Sequence, residues 1–167
     1  DMIGRYGADT VRLFILYGAN PEAGMDWSDT ALEANHRQMY TIIDAIDSAL
    51  AMGDSPGPMD DWLLARLRAN QGAWREAMSS VSVREGVMVS HFEMVSDWNW
   101  YRRRGGCDRA SARAFLEGWV PMLAPATPHI AEEFWQRMGG EGMLATLELP
   151  GLDESGDNTV LAREAYL

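Results

Sequence analysis

No lysine occurs anywhere in the chain; all 14 basic side chains are arginine. That absence excludes a Walker-type phosphate loop, a Schiff-base mechanism and a Ser–Lys dyad, each of which needs an amine. Cysteine is nearly absent too. A lone Cys107 rules out an intramolecular disulfide and leaves a reducing compartment, the cytoplasm, as the expected location. With one cysteine and three scattered histidines (His36, His91, His129), no set with zinc-ligand spacing exists. No apolar run approaches the ~18 residues a membrane span requires. Phe14-Ile15-Leu16 is short, and Asp9 and Arg12 precede it. Nothing resembles a basic start followed by a long apolar stretch, so no signal peptide is read. Gly4, Gly7, Gly18 and Gly24 are spaced wrongly for a phosphate cradle.

What is present supports a folded core. Of the 167 residues 47% are hydrophobic and 23% charged, a balance outside the disordered range. The length fits one domain, or one with a small appendage. The chain starts at Asp1 and stops at Leu167, each within a helical pattern, so a piece of a longer protein is expected. No repeat of 20 to 50 residues is found.

The pattern is a series of amphipathic helices. The first spans Ala8 to about Tyr17, ended by Gly18 and Pro21, with a loop to Trp27. The second starts after an N-cap at Ser28 and runs to about Met52. Gly53-Asp-Ser-Pro-Gly-Pro58 is the strongest breaker in the chain. The third runs from Met59 to Ser79 or Ser80, with Trp62, Leu63, Leu67, Trp74 and Met78 as its apolar stripe. The fourth opens on a capping box, Ser82-Val-Arg-Glu85, and ends in Arg102-Arg103-Arg104 before Gly105-Gly106. The fifth spans Asp108 to Leu123, with Pro121 as a possible kink. The sixth takes Thr127 as N-cap and Pro128 at its first position, and stops at Gly139-Gly140. Met143 to Leu149 alternates weakly, as a short strand or an extended tail would. Helices joined by short loops imply an antiparallel bundle.

One local feature stands out. Trp98-Asn99-Trp100-Tyr101-Arg102-Arg103-Arg104 combines aromatics, which stack on bases or sugars, with guanidinium groups, which grip phosphates. Residues 102 to 113 hold five arginines and one acid, a local charge of +4 in a chain of net charge −11. Over residues 84 to 113 the balance is +2, leaving −13 elsewhere. The same cluster is also what a helix C-terminus takes to complement its dipole, and Trp98 and Tyr101 lie on the apolar line. The overall negative charge opposes tight nonspecific binding but permits a positioning contact.

Other candidates have plainer readings. His129 and Glu133 share a helix face, as an acid/base or metal pair could, yet no second ligand follows and helix capping explains His129 as well. His91 reads as a core histidine with satisfied hydrogen bonds. Cys107 reads as a loop thiol. The 11 methionines read as core filler. No nucleophile–base–orienter set is found.

Four stretches together resemble one family. Tyr6-Gly-Ala-Asp-Thr-Val-Arg-Leu-Phe14 is similar to the segment after the Lys-Met-Ser-Lys-Ser signature of class I aminoacyl-tRNA synthetases. Asp26-Trp27-Ser28-Asp29 resembles the next landmark. Asp97 to Arg104 resembles the Asp-Leu-x-Trp-Tyr-x-Arg-Arg run of archaeal-type leucyl enzymes. Leu123-Ala-Pro-Ala-Thr-Pro-His-Ile-Ala-Glu-Glu-Phe-Trp135 resembles the signature of the anticodon-binding bundle shared by the leucyl, isoleucyl, valyl and methionyl enzymes. Gly139-Gly-Glu-Gly142 and Leu149-Pro150 fit the leucyl pattern. Asp97, Trp100, Tyr101, Arg103 and Arg104 match the third run; Trp98 stands where the family has Leu, and Arg102 where it has an apolar residue. The Lys-Met-Ser-Lys-Ser and His-Ile-Gly-His motifs are absent.

The resemblance implies an all-α, antiparallel helical bundle. It implies a linking segment over 1–30, the anticodon-binding bundle over 31–140 and a mostly extended C-terminal extension over 141–167. It also implies a parent enzyme, an aminoacyl-tRNA ligase that joins leucine to tRNA using ATP and Mg²⁺ in a catalytic domain outside this chain, with no cofactor in the chain itself. The partners implied are leucine-accepting tRNA and the rest of the parent. The tRNA contacts fall on Trp100, Tyr101, Arg102, Arg103 and Arg104, to phosphates and sugars more than to bases. The same region of an isoleucyl or valyl enzyme is the nearest alternative. A helical protein-interaction module is another, and it would need an exposed apolar patch of several hundred Å².

Overall fold

The computed structural model describes residues 2–18 and 28–147. The short helix α1 (Met2–Tyr6) leads into α2 (Ala8–Gly18). Then come α3 (Asp29–Leu50), α4 (Met59–Ser79), α5 (Val83–Met88), α6 (Met94–Arg103), α7 (Arg109–Leu123) and α8 (Pro128–Arg137). Among the described residues the architecture is all-α, apart from one two-residue antiparallel pairing. There β1 (Asp54–Ser55) lies on β2 (Cys107–Asp108), with Asp54 opposite Asp108. It joins the breaker loop after α3 to the turn after α6.

The bundle closes around aromatic residues at helical spacing. Helix α4 packs on α5, α6 and α7; α3 packs on α6 and α7; α8 packs on α7. Trp98, Tyr101, Phe115 and Trp119 are fully buried, together with Ile42, Ile46 and Leu63. Trp98 stacks on Phe115 with ring centroids 5.8 Å apart. The two most deeply buried indoles find acceptors: Trp98 Nε1 donates to Ser48 Oγ at 2.8 Å, and Trp119 Nε1 to the Ser90 carbonyl at 2.7 Å. Helix α2 packs on α3 and α5 through a smaller apolar cluster of Leu13, Met39, Val87 and Ala126.

Helix positions follow the sequence reading closely, and helix ends diverge from it. Ser28 caps α3 as expected, its Oγ accepting from Ala31 N–H at 3.2 Å. The capping box does not form. Ser82 makes no side-chain cap bond to α5; its Oγ meets Ser80 Oγ at 3.2 Å. Thr127 is likewise no cap. It is fully buried, donates to the Leu123 carbonyl and meets His91 Nε2 at 3.0 Å. The expected fourth helix is a continuous rod from Val83 to Arg103, but Val89–Glu93 is a π-helical turn. That widening frees carbonyls for side chains: Ser90 O accepts from Trp119, and His91 O from Gln38 Nε2 at 2.5 Å. The expected strand or tail after Met143 begins instead as a 3₁₀ turn, Leu144–Thr146. Leu149-Pro150, the remainder of the C-terminal extension, Pro21 and Asp26-Trp27 lie outside the described residues.

Three helices end in the same way. After α6, the Gly106 N–H donates to the Tyr101 carbonyl at 3.0 Å and the Gly105 N–H to the Arg102 carbonyl at 3.2 Å, with Gly105 at φ +85°. After α8, Gly140 and Gly139 repeat both bonds. After α4, Ser82 and Val81 repeat them, but here a valine holds the left-handed position, at φ 60°. This is the Schellman arrangement, which satisfies carbonyls that the helix leaves unpaired.

Candidate nucleic-acid interface

The basic cluster sits where α6 stops, and its parts have different jobs. Tyr101 is fully buried, which corrects its expected role as an RNA contact. Its hydroxyl donates to Asp60 Oδ1 at 2.7 Å and accepts from the Asp108 N–H at 3.0 Å. Those bonds tie the last turn of α6 to the first turn of α4 and to the start of α7. Burial, reinforced by the bond to Asp60, pushes the phenol well above the ordinary tyrosine range. Asp108 in turn caps α7, its Oδ2 accepting from Ser111 N–H and from Ser111 Oγ, both at 2.8 Å. These bonds hold the Asp108 carboxyl below the usual carboxylate range. The tip is therefore a rigid junction of three helices.

Arg102 and Arg109 serve that junction. Arg102 donates from a terminal guanidinium nitrogen to the Gly106 carbonyl at 2.8 Å and touches Met52 Sδ at 3.3 Å. Arg109 Nε donates to the Met52 carbonyl at 3.2 Å. Arg113 also leaves the cluster. It pairs with Glu117 at 2.7 Å and donates to the Met138 carbonyl. Arg84 lies at the other end of the rod, over Tyr17, about 30 Å from Arg103 at 1.5 Å of rise per residue.

Arg103 and Arg104 remain. Both are exposed, and among the described residues neither pairs with a carboxylate. Arg103 Nε donates to its own helix, to the Asn99 carbonyl at 3.3 Å. Both guanidinium groups lie against Trp100: Arg104 4.3 Å from the ring centroid, Arg103 at 6.0 Å. Trp100 is 36% exposed, high for a tryptophan in a chain whose core takes Trp98 and Trp119 completely. One face of the α6 tip thus presents a partly open indole flanked by two cations. Asp97, the nearest acid upstream on α6, does not neutralise them. It is buried, bonded to Arg66 Nε at 2.9 Å and to Asn70 Nδ2 at 2.7 Å. Stacking plus phosphate contact is the chemistry such a face can perform.

The other candidates resolve into structure. His91 is fully buried between Ser90 Oγ and Thr127 Oγ1, and burial lowers its pKa to about 3, so it stays neutral. His129 bonds Asp9 Oδ1 at 2.7 Å, away from any partnership with Glu133. Among the described residues no group of three metal-ligating side chains converges. An apolar cleft of about 800 Å³ lies between α7, α8 and the 3₁₀ turn, walled by Trp74, Pro121, Trp135, Met138 and Leu144. Arg113 and Glu117, which pair with each other, also line it, as does Glu141.

Sequence reasoning missed Asp9, Arg66 and Asn70. Asn70 was legible only as a polar residue on an apolar stripe. Asp9 stands in the first turn of α2, where an acid is ordinary, although its carboxylate serves α8 across 120 positions of sequence.

The sequence model of one family, the anticodon-binding domain of tRNA ligase, matches residues 60–166. The chain belongs to that family. The match covers α4 to α8, so it includes the α6 tip. The chain is 32% identical to a leucine–tRNA ligase of Methanosarcina acetivorans over 98% of its own length and 18% of the relative's. It is 36% identical to that of Archaeoglobus fulgidus over 80% of the chain and 14% of the relative. It is 29% identical to that of Pyrococcus furiosus over the whole chain and 18% of the relative. The chain therefore spans less than a fifth of the curated relatives it matches. Its fold superposes on 21% of a chain in a LeuRS–tRNA–LeuAMS ternary complex from Agrobacterium radiobacter, with a TM-score of 0.72, 92% of this chain covered and 21% identity. This anticodon-binding domain is an all-helical bundle, and among its described residues no helix is long and apolar enough to cross a membrane.

Proposed function

We propose that the chain is the tRNA-holding region of a leucyl-tRNA synthetase of archaeal type, and that the open face of the α6 tip carries the contact. Arg103 and Arg104 bind the sugar-phosphate backbone of a leucine-accepting tRNA, and Trp100 stacks on an exposed sugar or base. Arg102 and Tyr101 shape the tip from below. One observation carries this reading: two exposed arginines without carboxylate partners flank a partly exposed tryptophan on a rigid helix end, in a protein of net charge −11. An isolated cationic patch on an acidic body gives orientation as well as attraction, because the rest of the surface repels a polyanion. Phosphate contacts fix register without reading sequence.

In this reading leucine activation with ATP and Mg²⁺ belongs to a catalytic domain of the parent, a cytoplasmic enzyme, and this chain supplies no reacting group. The division of the chain follows the same reading, with 1–30 linking that domain to the bundle over 31–140 and 141–167 leading onward. Arg103→Ala combined with Arg104→Ala in the full-length parent tests it. Transfer of leucine to tRNA falls through a higher KM for tRNA, while leucine-dependent ATP–pyrophosphate exchange keeps its rate. Retention of the wild-type KM for tRNA would refute it.

A further inference from the structure

We infer that Asp9 is a positioning residue that clasps the linking segment to the bundle and so fixes the direction in which the α6 tip is presented; the inference rests on the synthetase reading above for its consequence in catalysis. The Asp9 side chain is 8% exposed although it stands near the surface end of α2. Its two oxygens divide between two donors in the first turn of α8: Oδ2 accepts from the Ile130 N–H at 2.8 Å, and Oδ1 bonds His129 Nδ1 at 2.7 Å. Asp9 is therefore the cap that Thr127 fails to provide, supplied from a different helix. Arg12, on the same face one turn later, completes the clasp. Its Nε donates to the Ala126 carbonyl at 3.1 Å, and a terminal nitrogen donates to the Pro125 carbonyl at 3.0 Å.

The charges are placed correctly for both ends of the contact. A carboxylate meets the positive end of the α8 dipole, and a guanidinium meets the carbonyls of the turn before it. The apolar contact of Leu13 with Val87 and Ala126 holds α2 against the bundle, but burial of apolar area has no direction and tolerates rotation. Four hydrogen bonds from two side chains select one angle. The lever is long. Thr127, beside the clasp, bonds His91 in the middle of the rod, and Arg103 lies twelve residues beyond His91, about 18 Å along the helix axis. A rotation of about 10° at the clasp would carry the tip about 3 Å, the length of a hydrogen bond, at that helical rise. A tRNA held at the tip and at a distant catalytic centre would lose one contact or the other.

The test uses the full-length parent, with Cys107 and any other reactive cysteine of the parent replaced by serine, and spin labels at Ile15 and Ser96, both exposed positions. In the otherwise wild-type protein the inter-label distance distribution is narrow. Asp9→Ala broadens or shifts it, and Asp9→Asn, which keeps an acceptor for the Ile130 N–H, restores it. On unlabelled enzyme, Asp9→Ala lowers kcat/KM for tRNA leucylation about tenfold with leucine-dependent pyrophosphate exchange unchanged, and Asp9→Asn recovers most of the loss. An unchanged distance distribution in Asp9→Ala overturns the clasp. So does a parallel fall in exchange and leucylation, since Asp9 would then only hold the fold. A wild-type parent that leucylates no tRNA would instead refute the synthetase reading, and the distance measurement would still decide the clasp.

Discussion

The ring of Tyr101 fills the space that any side chain on Gly106 would need; a Cβ built there overlaps three of its ring carbons. The residue that looked like an RNA contact is thus the anvil on which the helix end is shaped. Gly105 and Gly106 then have separate duties. Gly105 supplies the positive φ, with open space around it, and Gly106 supplies the close approach.

Gly106→Ala is therefore expected to destabilise the domain more than Gly105→Ala. Overpacking against a buried ring costs about 1–3 kcal/mol, while an alanine in the left-handed region costs about 1–2 kcal/mol. Urea denaturation of both variants checks the order. Equal losses would mean that Tyr101 moves aside freely.

Val81 offers the converse case. It occupies at the end of α4 the position that Gly105 and Gly139 occupy after α6 and α8, and it is 79% exposed with little packing to lose. Val81→Gly is expected to leave stability unchanged or raise it by up to about 1 kcal/mol, as relief of left-handed strain outweighs the glycine's entropy cost. A drop in Tm beyond about 3 °C would contradict this, at the usual entropy of unfolding for a domain of this size.

His91 sets an acid limit. Its folded pKa of about 3 lies below the ordinary value of 6.5, so the unfolded chain binds a proton that the folded chain refuses. Its contribution to stability is intact above pH 6.5 and is lost as pH falls toward 3, with a slope near one proton. His91→Gln should remove that slope while costing stability at pH 7 through imperfect replacement of the bonds to Ser90 and Thr127. Denaturant midpoints measured from pH 7 to pH 4 show it.

Tyr101 acts at the opposite end of the scale. Its phenol is held neutral in the fold, whereas an unfolded tyrosine ionises at about pH 10. Stability from this group is present below about pH 10 and declines as pH rises beyond it. Tyr101→Phe should flatten that decline and should cost about 1–3 kcal/mol at neutral pH, because the Asp60 carboxylate loses a donor.

Much of this domain could be read from its sequence. The helices showed because their apolar positions recur at helical spacing, and the α6 end showed because arginines followed by two glycines state a stop in local chemistry. The all-helical fold followed from those signals. Caps were less legible. Ser82 and Thr127 have the right side chains for capping, but whether a hydroxyl serves its own helix or a neighbour depends on packing that no local pattern encodes. Thr127 went to His91, and Asp9 took its place. The candidate site was legible in composition and not in division of labour. Arg102, Arg103 and Arg104 are identical in type and all exposed, yet Arg102 bonds Gly106 and Met52 while the other two lie against Trp100. Arg113 looked like part of the cluster by sequence distance alone, and Glu117 one turn later claims it.

The salt dependence of tRNA binding tests the phosphate contact most directly. The dissociation constant of the full-length parent for its tRNA, measured from low to physiological salt, should give a log–log slope that shallows by about one unit for each arginine removed, hence by about two for Arg103→Ala with Arg104→Ala. Trp100→Ala should weaken binding by about 1–3 kcal/mol with the slope unchanged. A double arginine variant with wild-type affinity and wild-type slope would show that the α6 tip does not touch the RNA.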